Sequence, residues 1–293
     1  MNIWHVFVIS CLISLIISTV SAQEPVPFNN PTKNNTPSDA YKLVWSDEFN
    51  EDGKPDISKW SYEHGFARNE ELQWYQPNNA RCENGLLIIE ARRERKQNPR
   101  YNPDSKNWRE NREYTEYTSA SITTIGLHSW TYGRFEMRAR IDTRPGLWPA
   151  FWTVGASAEW PKGGEIDIME FYKDTLLANV AWAKKERWQA KWDDLKKPLT
   201  EFNDPEWSKK FHVWRMDWDE NSIKIYVDDL LLKSTDLNNT FNEDAEGKNP
   251  FRYPQSQHII LNLAVGGTNG GNPSNTEFPA KFEVDYVRIY QKQ

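Results

Sequence analysis

Three carboxylates lie close together in Gly164-Glu165-Ile166-Asp167-Ile168-Met169-Glu170, separated by apolar residues in a run that reads as a strand. On a regular strand Glu165 and Asp167 share one face, while Ile166 and Ile168 take the other. Glu170 falls on the apolar side unless one extra residue intervenes. A β-bulge at or next to Met169 would return it to the face of the other two acids. Crowded carboxylates repel, so at least one is expected to hold a proton near neutral pH beside an ionised neighbour. A proton donor next to a carboxylate nucleophile suits glycoside hydrolysis. A merely acidic, solvated strand face is the plainer alternative.

The flanking sequence favours the chemistry. In Gly146-Leu147-Trp148-Pro149-Ala150-Phe151-Trp152 the even spacing of Trp148 and Trp152 lets both point to one face of a neighbouring strand. Indole faces stack on the C–H faces of sugar rings, so two of them beside three acids resemble a sugar cleft, although Trp is also a common core residue. Histidines are few and not at zinc spacing, and neither a G-x-S-x-G elbow nor a phosphate loop occurs.

The elements that must carry these residues are strands. Phe135, Met137, Ala139 and Ile141 alternate with Arg134, Glu136, Arg138 and Arg140, the pattern of a half-buried antiparallel strand. Trp214 to Trp218 and Ile223 to Val227 alternate likewise about a Glu220-Asn221 turn, which predicts a hairpin. Leu86 to Ala91, Ile259 to Val265 and Phe282 to Tyr290 predict further strands. Short helical pieces are expected only around Asp56 to Trp60 and Asp204 to Lys209. Many strands and few helices point to one large all-β sandwich.

The chain has 293 residues with 15 Trp, 12 Tyr and 13 Phe, an aromatic load that excludes a disordered or collagen-like polymer. Its net charge of −6 and the lack of long basic runs exclude a nucleic-acid partner and argue against an anionic membrane surface. Ile3 to Val20 contains no Asp, Glu, Lys or Arg and leads into Val20-Ser21-Ala22, so residues 1–22 are expected to be a signal peptide and the protein secreted. Residues 23–39, rich in Pro, Asn, Ser and Thr, predict a flexible linker. Residues 40–293 are then the catalytic domain. Cys82 is the one thiol expected after cleavage, so the domain must rely on its core rather than a disulfide.

The segments Trp45-Ser46-Asp47-Glu48-Phe49, Tyr132 to Glu136, Leu147 to Trp152, Gly164 to Glu170, Asn262 to Gly267 and Val284 to Tyr290 together resemble glycoside hydrolase family 16. The E-x-D-x-x-E form is similar to its laminarinase-like, endo-β-1,3-glucanase branch. The resemblance implies a concanavalin A-like β-jelly-roll sandwich of two curved antiparallel sheets with an open cleft on the concave face. It also implies a retaining endo-β-glucanase acting on β-1,3- or mixed β-1,3/1,4-glucans, with Glu165 as nucleophile, Asp167 as its partner and Glu170 as acid/base. Asn69 and Trp74 are implied as further substrate-binding positions beside Trp148 and Trp152, and Trp182, in a segment where many relatives carry His, is expected as a further sugar platform. Ser121 stands where many laminarinase-like sequences carry Arg. Catalysis is expected to need no cofactor. A structural calcium, as in some relatives, would use Glu48, Gly85 and Asp285. The expected partner is a β-glucan polysaccharide, with a monomeric enzyme and no membrane contact after signal removal. The alternatives are hydrolysis of another β-linked polysaccharide (agar, porphyran or carrageenan) and a non-catalytic, lectin-like glucan-binding module.

Overall fold

The computed structural model describes residues 41–292; the expected signal peptide and linker lie outside the described residues. The strands in chain order are β1 (Tyr41–Asp47), β2 (Ser61–Tyr62), β3 (Gln73–Tyr75), β4 (Ala80–Glu83), β5 (Leu86–Gln97), β6 (Tyr114–Ser119), β7 (Ser121–Thr123), β8 (Gly133–Ile141) and β9 (Leu147–Gly155). They continue with β10 (Glu165–Tyr172), β11 (Thr175–Ala183), β12 (Ala190–Pro198), β13 (His212–Trp218), β14 (Ser222–Val227), β15 (Leu230–Asp236), β16 (Gln257–Val265) and β17 (Ala280–Lys292). One short α-helix, α1, covers Gly267–Gly270.

The alternating segments become strands because each has one apolar face to hide, and two sheets hide such faces against each other. One sheet has the order β15-β14-β13-β8-β17-β5-β6-β3, with β1 added on β17 and β4 on β5. The other runs β12-β11-β10-β9-β16-β7-β2. Pairing is antiparallel throughout except between β3 and β6. Ile166, Ile168 and Phe171 of β10 share a continuous core with Phe135 and Met137 of β8 and Trp214 and Met216 of β13. Each such side chain contributes about 1.5–3 kcal/mol by leaving water. The outer face of the seven-stranded sheet is thereby left to carry a site.

The two expected helices are shorter than the sequence suggested. At Asp56 to Trp60 there is only a turn: Asp56 Oδ1 accepts from the Ser58 amide, and Trp60 is drawn inward to donate its indole N–H to Asp47 Oδ2 at 2.8 Å. Near Asp204 to Lys209 only a 3₁₀ turn forms, over Trp207–Lys209. Cys82 on β4 is buried and unpaired, and burial pushes its thiol up to about 11.

Candidate active site

The bulge is present in β10. Opposite β11, Asp167 faces Asn179 and Glu170 faces Leu177, so three steps on one strand match two on the other. Opposite β9 the shift falls between Asp167 and Met169, leaving Ile168 as the extra residue. Ile168 and Met169 both enter the core, and Glu165, Asp167 and Glu170 share the outer face. Gly164 enters the strand at φ +76°, a conformation costly for a side chain, and a Cβ there would stand 2.5 Å from the Phe251 ring.

Antiparallel register then builds three rows across the sheet. Val154, Glu165, Ala181 and Trp192 form one; Trp152, Asp167, Asn179 and Asp194 the second; Ala150, Glu170, Leu177 and Lys196 the third. Apart from Ala150 and Ala181, the residues of these rows, with Trp148, Trp160, Tyr172, Arg68 and Asn69, line a cleft of about 750 Å³.

Each outer carboxylate is held by one indole. Trp160 Nε1 donates to Glu165 Oε2, and Trp148 Nε1 donates to Glu170 Oε1 at 2.9 Å. Asn179 Nδ2 donates to Asp167 Oδ2 at 2.9 Å and to Glu170 Oε2 at 3.3 Å. Asp167 Oδ1 is buried and faces no donor among the described residues. Burial, and then the charges of Glu170 and Glu165, raise Asp167 well above the ordinary carboxylate range, so this acid is placed to keep a proton between its neighbours. Burial also raises Glu170 to about 7, against the opposing Trp148 bond. Glu165 is raised by burial but drawn back by the Trp160 and Asp167 hydrogen bonds and the Arg68 charge. Glu170 is thus drawn toward its protonated form, while on Glu165 the two hydrogen bonds and Arg68 oppose the pull of burial.

Trp148 and Trp152 line this cleft as the spacing suggests. Trp152 Nε1 donates to Asn262 Oδ1 at 2.8 Å, and Asn262 in turn reaches Tyr75 Oη and through it Glu71. Arg68 lies 4.9 Å over the Trp152 ring and pairs with Glu63, which also accepts from Ser121 Oγ at 2.6 Å. The guanidinium at this wall thus belongs to Arg68, while Ser121 shares its partner Glu63. Asn69 borders the cleft too.

Two expected sugar contacts are elsewhere. On β3, Gln73 and Tyr75 turn toward Glu71, so Trp74 between them points the other way and packs on Phe66 at 5.4 Å. On β11, Ala181 stands opposite Glu165, so the adjacent Trp182 turns inward and joins the core. At the positions expected for calcium, Glu48 accepts from Arg288 at 2.7 and 2.8 Å and Asp285 from Arg138 at 2.7 Å. Guanidinium groups already neutralise both acids and would repel a dication, and no metal-holding group of three occurs among the described residues.

Trp160, Arg68, Asn179 and Trp192 escaped the sequence reading. Asn179 had a signal: Lys173 and Asp174, both at positive φ, turn the β10–β11 hairpin, and counting outward past one bulged residue reaches it from Asp167.

Residues 73–288 match the family model described as glycosyl hydrolases family 16. A beta-glucanase of Rhodothermus marinus is 37% identical over 269 residues, covering 86% of this chain and 85% of the relative. The solved laminarinase of the same organism aligns with a TM-score of 0.69 at 38% identity, over 86% of this chain and 98% of that one. A solved structure from work on endo-acting O-glycanases, which prominent members of the human gut microbiota express to initiate mucin breakdown, aligns with a TM-score of 0.78 at 36% identity, over 87% and 92% of the two chains.

Proposed function

Since the chain belongs to family 16 of the glycosyl hydrolases, we propose that it is a retaining endo-β-glucanase that cleaves β-1,3- or mixed β-1,3/1,4-glucans within the chain. The observation that carries the mechanism is the bulged strand that presents Glu165, Asp167 and Glu170 together while their surroundings separate the roles of the outer two.

Glu165 attacks the anomeric carbon as the carbon–oxygen bond to the leaving sugar breaks and Glu170 gives its proton to that oxygen. The glycosyl-enzyme ester is then opened by water: Glu170 takes a proton from the water, whose oxygen bonds to the anomeric carbon and frees Glu165. Asp167, protonated between them, donates toward Glu165 and tempers the repulsion. No step needs a cofactor, and none is routed through calcium.

The test is to incubate the protein with laminarin, barley mixed-linkage glucan, lichenan, agarose and carrageenan and to size the products. Short internal-cleavage oligosaccharides from the glucans support the reading; their absence overturns it. Glu165→Gln and Glu170→Gln should each lower turnover by about 10²–10⁴ with folding intact. One comparison favours a second reading, in which the substrate is an O-glycan chain, because the O-glycanase structure superposes with the higher TM-score, 0.78 against 0.69. Mucin O-glycans belong in the same substrate panel.

We further propose secretion after removal of residues 1–22, supported by the uncharged Ile3 to Val20 stretch and checked by N-terminal sequencing of protein from the medium. A monomer is proposed as well, checked by light scattering.

A further inference from the structure

β12 is the free edge of the sheet that carries the acids. Its residues Lys191, Asp193, Asp194, Lys196 and Lys197 protect that edge with charge, as an exposed edge requires. The inward face is pinned: Asp193 accepts from Lys233 and from Thr235 of β15, and Leu195 packs on the core. Alternation then forces Trp192, Asp194 and Lys196 outward, and all three line the cleft. Trp192 is 45% exposed; among the described tryptophans only it and Trp188, at 51%, stand so far into solvent. Nearly half of this large apolar residue is thus left uncovered by the fold on an otherwise charged edge.

The register says what it faces. Glu165 pairs with Ala181, and Ala181 with Trp192, so the indole lies two strands from the nucleophile, roughly 10 Å across the sheet. In that row only the methyl group of Ala181 stands between them. A sugar chain laid across the strands therefore meets the indole after it has passed the ring that reacts. Asp194 and Lys196 flank that position, and their mutual pair is long, at 3.9 Å, leaving both free to bond elsewhere.

We propose that Trp192 is the stacking platform of an outer sugar-binding subsite on β12, with Asp194 accepting from and Lys196 donating to hydroxyls of the same sugar. The subsite makes the enzyme select long glucan chains over short ones. The proposal rests on the glucanase reading of the cleft.

The experiment measures kcat/KM on β-1,3-linked glucose oligosaccharides of increasing length for the wild-type chain, Trp192→Ala, Trp192→Phe and Trp188→Ala. Wild type should gain with length until the chain reaches β12. Trp192→Ala should lose that gain, by roughly fivefold to tenfold on the longest oligosaccharide, chiefly through KM and with the shortest cleaved substrate unaffected. Trp192→Phe should restore most of it, and Trp188→Ala, at the hairpin tip outside the cleft lining, should behave as wild type. If wild type cleaves the series and Trp192→Ala keeps the same length dependence, the subsite is wrong. An equal loss in Trp188→Ala would also overturn it, by assigning the effect to the hairpin as a whole. If wild type cleaves neither this series nor the corresponding mixed β-1,3/1,4-linked oligosaccharides, the glucanase reading falls and the subsite falls with it.

Discussion

Trp148 and Glu170 are joined by a 2.9 Å hydrogen bond from the indole N–H to Oε1, although they lie 22 residues apart. The bond favours the ionised carboxylate, and burial favours the protonated one, so the value near 7 is a balance of opposed effects. The same indole that lines the cleft thus helps set the strength of the acid.

Trp148→Phe keeps most of the ring and removes the donor. The alkaline limb of kcat/KM against pH should move upward by up to about one unit, equivalent to about 1.4 kcal/mol of lost preference for the carboxylate. A pH–rate profile on soluble glucan checks this. An unmoved limb with lowered affinity would leave Trp148 as a sugar contact alone.

Glu170→Gln should alter stability in a pH-dependent way. Below 4.5, the ordinary value, the carboxyl is protonated in both folded and unfolded chains and contributes no pH dependence. Between 4.5 and about 7 the unfolded chain releases the proton while the folded one still holds it, so folding weakens as pH rises. Above 7 the penalty is complete. Relative to wild type, the Tm of the variant should therefore rise progressively from pH 4.5 to 7 and then level off. A pH-independent difference would show that Glu170 does not titrate as an isolated, raised carboxyl.

The bulge gives a paired prediction. Deleting Met169 leaves the three acids at alternate positions on a regular strand, still with Phe171 facing inward, so it should damage activity less than Glu170→Gln does. Inserting one alanine after Met169 turns Glu170 away and Phe171 outward, and should reduce polysaccharide cleavage by about 10²–10⁴. An activated aryl glycoside, whose leaving group needs little protonation, should be spared part of that loss. Folded insertion protein, verified by near-ultraviolet circular dichroism, that cleaves polysaccharide like wild type would remove Glu170 from the acid's role.

Gly164→Ala should cost roughly 1–3 kcal/mol through overpacking, because the added carbon meets Phe251. Chemical denaturation measures it. A neutral result would mean that the β10 entry can shift without penalty.

What could be read in advance were parities along strands. The position of Glu170 demanded a bulge because apolar and acidic residues must face opposite ways, and Trp148 and Trp152 followed from even spacing. What escaped reading depended on relations between strands or on loops. Trp182 differs from Ala181 by one residue, and only the register with β10 decides which of them faces the acids. Trp160 reaches Glu165 from a loop, where no periodicity constrains a side chain. The helical pieces failed because local bonds of Asp56 and burial of Trp60 outweighed weak propensity.

Cys82 offers a use unrelated to catalysis. Its backbone is clasped to Gly53 by hydrogen bonds of 2.9 and 2.7 Å, its other side pairs with Leu87, and its sulfur is buried with a pKa near 11. A maleimide or iodoacetamide probe can react only when β4 lifts from the sheet, so the alkylation rate is a clock for that opening. Compared with tryptophan fluorescence during unfolding, the clock would tell whether this corner of the sandwich detaches alone or only when the whole core gives way.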